Sequence, residues 1–121
     1  MQFMFLVYAD EKFYEAMPKP ALDEVMAAYD VYVDEMTKAG VLLGGSELAS
    51  VRKAATVRIR KGKPAITDGP FAETKEHLGG YFLVECANMD EALRWAARCP
   101  SAPHGSVEVR PLVQSPGVVE A

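Results

Sequence analysis

Gln2-Phe3-Met4-Phe5-Leu6-Val7-Tyr8 opens the chain with apolar side chains on both faces of one strand. Side chains alternate along a strand, so Met4, Leu6 and Tyr8 share one side and Phe3, Phe5 and Val7 the other. A strand written this way is covered on both faces. One layer of helices covers only one of them. The other needs a second cover, and a second copy of the chain is the expected one.

The next periodic segment is helical. Over residues 20–39, Leu22, Val25, Met26, Tyr29, Tyr32, Val33 and Met36 fall within an arc of about 120°, with Asp23, Asp30 and Asp34 opposite as a solvated stripe. Pro20 suits the first turn and Gly40 the left-handed position just past the last. Val41-Leu42-Leu43 then predicts a short strand ended by the Gly44-Gly45-Ser46 break. Thr56–Arg60 and Ala65-Ile66-Thr67, joined through Lys61-Gly62-Lys63-Pro64, read as a hairpin, and Pro64 puts its second arm at an edge.

Tyr81–Cys86 is another strand with two apolar faces. Asn88 can cap a second helix, with Glu91 at the capping-box position and Pro100 beyond its end. Met89, Ala92, Leu93 and Ala96 supply its apolar face, and Trp95 reads as packing. Ser106–Leu112 is the last strand, and residues 114–121 read as a tail. The order β-α-β, hairpin, β-α-β over residues 1–113 predicts one α+β domain, ferredoxin-like with an inserted hairpin and helices on one face of the sheet.

Composition removes several function classes. The 121 residues, half hydrophobic and a quarter charged, suit a single globular core. A net charge of −4 and a pI near 5.2 argue against a nucleic-acid binder, which needs a basic footprint. Cys86 and Cys99 have neither disulfide-scaffold nor zinc spacing and read as reduced thiols. The apolar N-terminus is too short to span a bilayer and lacks signal-peptide features, so a cytoplasmic protein is expected. No dinucleotide fingerprint, P-loop, nucleophile elbow or HExxH is present, and neither cofactor nor metal is expected.

One stretch is not explained by core building: Asp68-Gly69-Pro70-Phe71-Ala72-Glu73-Thr74-Lys75-Glu76-His77, closed by Gly79-Gly80. Asp68 suits an Asx-type turn, and Gly69 before Pro70 is pushed toward extended geometry. Phe71 reads as a plug into the core or a dimer interface. If the segment is extended, Glu73, Lys75 and His77 share one side, and an acid, an amine and an imidazole together can move protons near neutral pH. The alternative is a solvated loop with internal ion pairs. Gly79-Gly80 predicts a bulge that re-aims the side chains before it.

Glu108 and Arg110 share a strand face, where Arg110 can hold a carboxylate or phosphate, or else make a salt bridge to Asp68, Glu73 or a second subunit. His104, in a Pro/Gly-rich loop, reads as a surface residue. The basic cluster Arg52, Lys53, Arg58, Arg60, Lys61 and Lys63 reads as a soluble edge hairpin, with an acidic partner as the alternative.

The Asp68–Glu76 motif, with Leu78-Gly79-Gly80-Tyr81, Gly105 and Glu108-Val109-Arg110-Pro111-Leu112, resembles the DGPF branch of the YCII-related proteins, over residues 1 to about 113. Tyr29-Asp30, Met36 and Ala39-Gly40-Val41-Leu42 fit the same resemblance. It implies a homodimer in which two sheets pack into a dimeric α+β barrel. It also implies a His–Asp pair in better-studied relatives, but this chain has Leu22–Met26 and Arg98-Cys99-Pro100 in those regions, so that pair does not carry over.

Two functions follow as expectations. In one, a small metabolite, anionic ones included, binds in each dimer cleft and undergoes cofactor-free acid–base chemistry. Asp68 or Glu73 would be base and His77 or Lys75 acid, with Arg110, Glu108 and Tyr81 binding the ligand. In the other, the chain is a non-enzymatic dimeric accessory or regulatory module, which the resemblance links to sigma-factor-type regulators.

Overall fold

A computed structural model describes residues 1–113, so the tail at 114–121 lies outside the described residues. β1 (Gln2–Ala9) alternates as its sequence dictates: Phe3 and Phe5 are fully buried and Val7 nearly so, while Met4, Leu6 and Tyr8 are half-buried on the opposite face. The chain then forms α1 (Glu11–Glu15), a short helix that periodicity does not announce. Asp10 caps it by accepting from the Lys12 amide at 3.0 Å.

α2 (Lys19–Lys38) carries Pro20 in its first turn and is followed by Gly40 at φ +72°, the left-handed position that favours glycine. Its apolar stripe packs unevenly. Tyr32 and Met36 are buried on Phe3 and Phe5, but Met26, nearer the N-terminus, is 48% exposed.

β2 (Leu42–Glu47) runs straight through the glycines expected to end it. The reason is close approach: a Cβ at Gly45 would lie 2.6 Å from the Tyr81 carbonyl oxygen of the neighbouring strand, so here glycine permits pairing. A 3₁₀ turn (Val51–Lys53) leads into the hairpin of β3 (Ala55–Arg60) and β4 (Lys63–Asp68), a separate two-stranded sheet. Pro64 sits opposite Ile59 in the hairpin's second arm, an edge as expected.

β5 (His77–Glu85) starts four residues earlier than the apolar run suggests, and α3 (Met89–Ala97) and β6 (Ser106–Pro111) complete the chain. Asn88 accepts from the Glu91 amide at 2.9 Å, as a cap should, and Glu91 returns its carboxylate to the Ala87 amide at 3.1 Å. Leu93 departs from the expected face and is 50% exposed. The helix meets the sheet through Ala92 and Ala96, small residues that leave a strip too narrow to include it.

The main sheet has the order β2-β5-β1-β6 with every neighbouring pair antiparallel, giving an α+β fold. Phe3, Phe5 and Val84 form its helix-covered face with Tyr32, Met36 and Ala92. Among the described residues, no helix is long and apolar enough to cross a membrane.

A bulge between β1 and β5 decides what this face presents near its end. Phe5 pairs with Phe82 and Val7 with Gly80, but Tyr8 pairs with Leu78 and Ala9 with His77. Gly79 is the extra residue. In a regular ladder with Gly79 opposite Tyr8, the alternation that puts Phe82 and Gly80 on the helix side would put Leu78 there and His77 opposite; with Gly79 bulged out, His77 faces the same side as Val7 and Ala9. The bulge expected from Gly79-Gly80 therefore forms and re-aims His77.

Candidate functional site

The under-packed half of α2 roofs a cavity of about 550 Å³. Leu22, Val25, Met26 and Val33 line it from above, and Val7, Ala9 and Phe82 from the sheet. Gly45, Gly79 and Gly80 also line it, so the floor lacks side chains where a filled core would have them. An apolar vault with a few polar groups at its rim is the usual form of a small-molecule site.

α1 brings Glu11, Tyr14 and Glu15 to the rim, where Glu47, Ser50, His77 and Ser101 add further polar groups. Glu11 accepts from the Val51 amide at 2.9 Å and the Ser50 hydroxyl at 2.8 Å. The Val51 amide bond does most to hold its carboxyl below the ordinary value of 4.5, and the Ser50 hydroxyl and the nearby His77 and Arg52 act the same way against partial burial. Glu15 pairs with Arg52 at 2.7 Å. These bonds tether α1 to the turn before the hairpin.

His77 Nδ1 is buried with no hydrogen-bond partner among the described residues. Leaving such an atom unpaired costs about 1–3 kcal/mol, so its persistence calls for a reason.

Across the cavity lies a hydroxyl cluster. Ser101 is buried, at 3% exposure, and its Oγ lies 2.7 Å from the Tyr14 hydroxyl and in hydrogen-bond contact with that of Tyr29. The Tyr14 hydroxyl also meets His104 Nε2 at 2.8 Å, and that of Tyr29 lies 3.6 Å from Cys99 Sγ. Burial pushes the Tyr29 and Tyr14 phenols up, partly offset by Ser101, so both stay protonated across the physiological range. His104 is not the free surface residue expected of its loop: its ring stacks on Phe13 at 4.7 Å. Gly105 seats this loop, because a Cβ there would overlap the Tyr8 carbonyl oxygen.

Of the residues singled out in the sequence, His77 and Tyr81 border the cavity. Tyr81 pairs with Leu6, which directs its side chain to the opposite sheet face. Glu108 and Arg110 pair with Leu6 and Met4 and share that face, where Arg110 Nε bonds Glu108 at 2.9 Å rather than Asp68 or Glu73.

Asp68, Glu73 and Lys75 are exposed and do not line the cavity. Asp68 ends β4, and the turn after it comes from Gly69, at φ +103° and not extended, whose amide donates to the Ala54 carbonyl at 2.7 Å. Residues 69–76 bend, so the alternation placing Glu73, Lys75 and His77 on one side does not apply. Phe71 is 75% exposed under Arg58, outside this chain's core. No local spacing in the sequence marks Glu11, Tyr14 and Ser101, which are brought to the cavity only in the folded chain.

A four-stranded antiparallel sheet with helices on one face and a polar-rimmed cavity between them defines a small α+β domain with an internal ligand-sized site. The family model described as YCII-related domain matches residues 1–115. An uncharacterised protein of Rhizobium meliloti (strain 1021) is 40% identical over 114 residues, covering 93% of this chain and 92% of that protein. The chain belongs to the YCII-related family.

Proposed function

We propose that the protein binds a small, mainly apolar metabolite in the cavity under α2 and carries out cofactor-free proton transfer on it, with His77 as the group that exchanges the proton. The observation that carries this reading is the buried, unpartnered Nδ1 of His77 in the wall of an apolar cavity. A titratable nitrogen left without a partner in the protein is suited to a partner in a ligand.

The rim also favours a kind of ligand. Glu11, Glu15 and Glu47 line the cavity and, among the described residues, no lysine or arginine does, which favours a neutral molecule over an anionic one. Asp68, Glu73 and Lys75 then have no part in the proton transfer, and Arg110, Glu108 and Tyr81 belong to a different surface.

That surface supports the second part of the proposal. A second copy of the chain packs on the sheet face carrying Met4, Leu6, Tyr8 and Tyr81, in the ferredoxin-like dimeric barrel that the strand order β2-β5-β1-β6 suits. A different reading, a non-enzymatic module docking on another protein, draws on the hairpin, whose Val57, Ile59 and Ile66 are each more than 60% exposed.

A thermal-shift screen of a metabolite library tests the cavity reading. Compounds that raise the melting temperature of the wild type should lose the effect in Val25→Phe, which fills the cavity, and in His77→Asn. Compounds that stabilise all three proteins equally bind elsewhere and refute the proposed site. A library without hits, together with capture of one stoichiometric protein partner dependent on Ile59 and Ile66, would establish the docking module instead.

A further inference from the structure

We propose that His104, Tyr14, Ser101 and Tyr29 form a proton relay that joins the loop after α3 to the cavity and protonates a ligand atom lying against Tyr29. The ligand rests on the cavity reading above; the relay exists without one. Three hydroxyls and an imidazole nitrogen stand in an unbranched order: His104 Nε2 to Tyr14 at 2.8 Å, Tyr14 to Ser101 at 2.7 Å, and Ser101 to Tyr29 in direct contact. Tyr14, Ser101 and Tyr29 all line the cavity. Among the described residues the one side contact, Tyr29 to Cys99 Sγ at 3.6 Å, is to a weak donor and acceptor.

Hydrogen-bond capacity gives the chain a direction. Each hydroxyl has one proton to donate, so when His104 Nε2 accepts, the donors point Tyr29 to Ser101 to Tyr14 to His104. When Nε2 carries a proton, the order reverses and the Tyr29 hydroxyl is left to donate into the cavity. Transfer is then balanced. The Nε2–H bond of imidazolium breaks as a new O–H forms on Tyr14, Tyr14 and Ser101 each pass on their own proton, and the Tyr29 O–H breaks as a bond to the ligand's oxygen or nitrogen forms. His104 ends neutral and every hydroxyl ends protonated. Phenols that burial keeps protonated serve this as conduits, not as end points.

The relay also completes the chemistry at His77. That imidazole and the Tyr29 end of the relay both border the same cavity, so one can take a proton while the other delivers one, as an isomerisation or an addition–elimination requires. Tyr29 would touch the ligand; Tyr14, Ser101 and His104 act through it.

Solvent exchange of the Tyr29 hydroxyl proton, followed by NMR on ligand-free protein with labelled tyrosine, tests the relay. The chain has two histidines, so a His77→Asn background leaves His104 alone to be followed in the same pH titration. Phe13 and Tyr14 of α1 and the Ser101 carbonyl face His104, which takes part in no ion pair among the described residues; the titratable groups left at the cavity rim are the carboxylates of Glu11, Glu15 and Glu47. The Tyr29 exchange rate is expected to follow the His104 titration, and Tyr14→Phe to abolish that dependence while His104 still titrates. A Tyr29 rate indifferent to His104, or one that follows it equally with and without the Tyr14 hydroxyl, overturns the relay whether or not a ligand is ever found. If Tyr14→Phe does not fold, His104→Gln replaces it: a flat profile over the same range supports the relay and an unchanged one overturns it.

Discussion

Gly105 shows how much one hydrogen atom can hold in place. Its Cα lies so close to the Tyr8 carbonyl that a methyl group has no room, and the obstacle is backbone on both sides. Gly105→Ala should lower stability in urea unfolding by about 1–3 kcal/mol and displace Ser101 from the cavity wall and His104 from the Tyr14 hydroxyl. Glu11 gives a residue-scale prediction in pH. Its folded carboxyl ionises below the ordinary value of 4.5, so its contribution is fully present above that value and is lost as pH falls through the lower, folded one. Melting temperatures of wild type and Glu11→Gln should therefore differ at neutral pH and converge as the pH drops below 4.5.

At the scale of elements, what the sequence discloses depends on how locally an element is made. α2 and α3 declare themselves through periodicity and caps because their stripes, Pro20, Gly40 and Asn88 act within a few residues. Asn88→Ala should cost about 1 kcal/mol in a denaturant titration, the usual value of a lost cap. α1 is silent for the opposite reason. Five residues cannot sustain a helix alone, and its anchors are Ser50, Arg52, Ser101 and His104, as many as 90 positions away. The site divides along the same line. His77 is legible because the glycines beside it announce a bulge, whereas Tyr14 and Ser101, 87 positions apart, meet only through the fold. The charged motif draws the eye to Asp68, Glu73 and Lys75, yet their segment bends across the surface while the cavity is built from residues that read as plain core.

For the whole molecule, the two sheet faces divide the work. One carries the helices and the cavity; the other presents Met4, Leu6, Tyr8 and Tyr81 beside the Glu108–Arg110 pair. If a second copy covers that face as proposed, sedimentation should find a dimer, and Leu6→Lys should yield a folded monomer, since an unpaired ammonium is costly to bury. A wild-type monomer at micromolar concentration would contradict the proposal.

The bulge at Gly79 bears on how such a protein could arise. Dropping the extra residue would leave Leu78 opposite Tyr8 and His77 opposite Ala9, where they are now, so this stretch can change in length by one residue with the imidazole still under α2. A slip in pairing that keeps the residue but irons out the bulge would instead set Gly79 against Tyr8, turning the imidazole outward and Leu78 inward and closing the vault with hydrocarbon. A lineage of these domains could thus gain or lose a codon here and keep its site, while a one-residue slip in strand pairing would separate a reactive member from an inert scaffold.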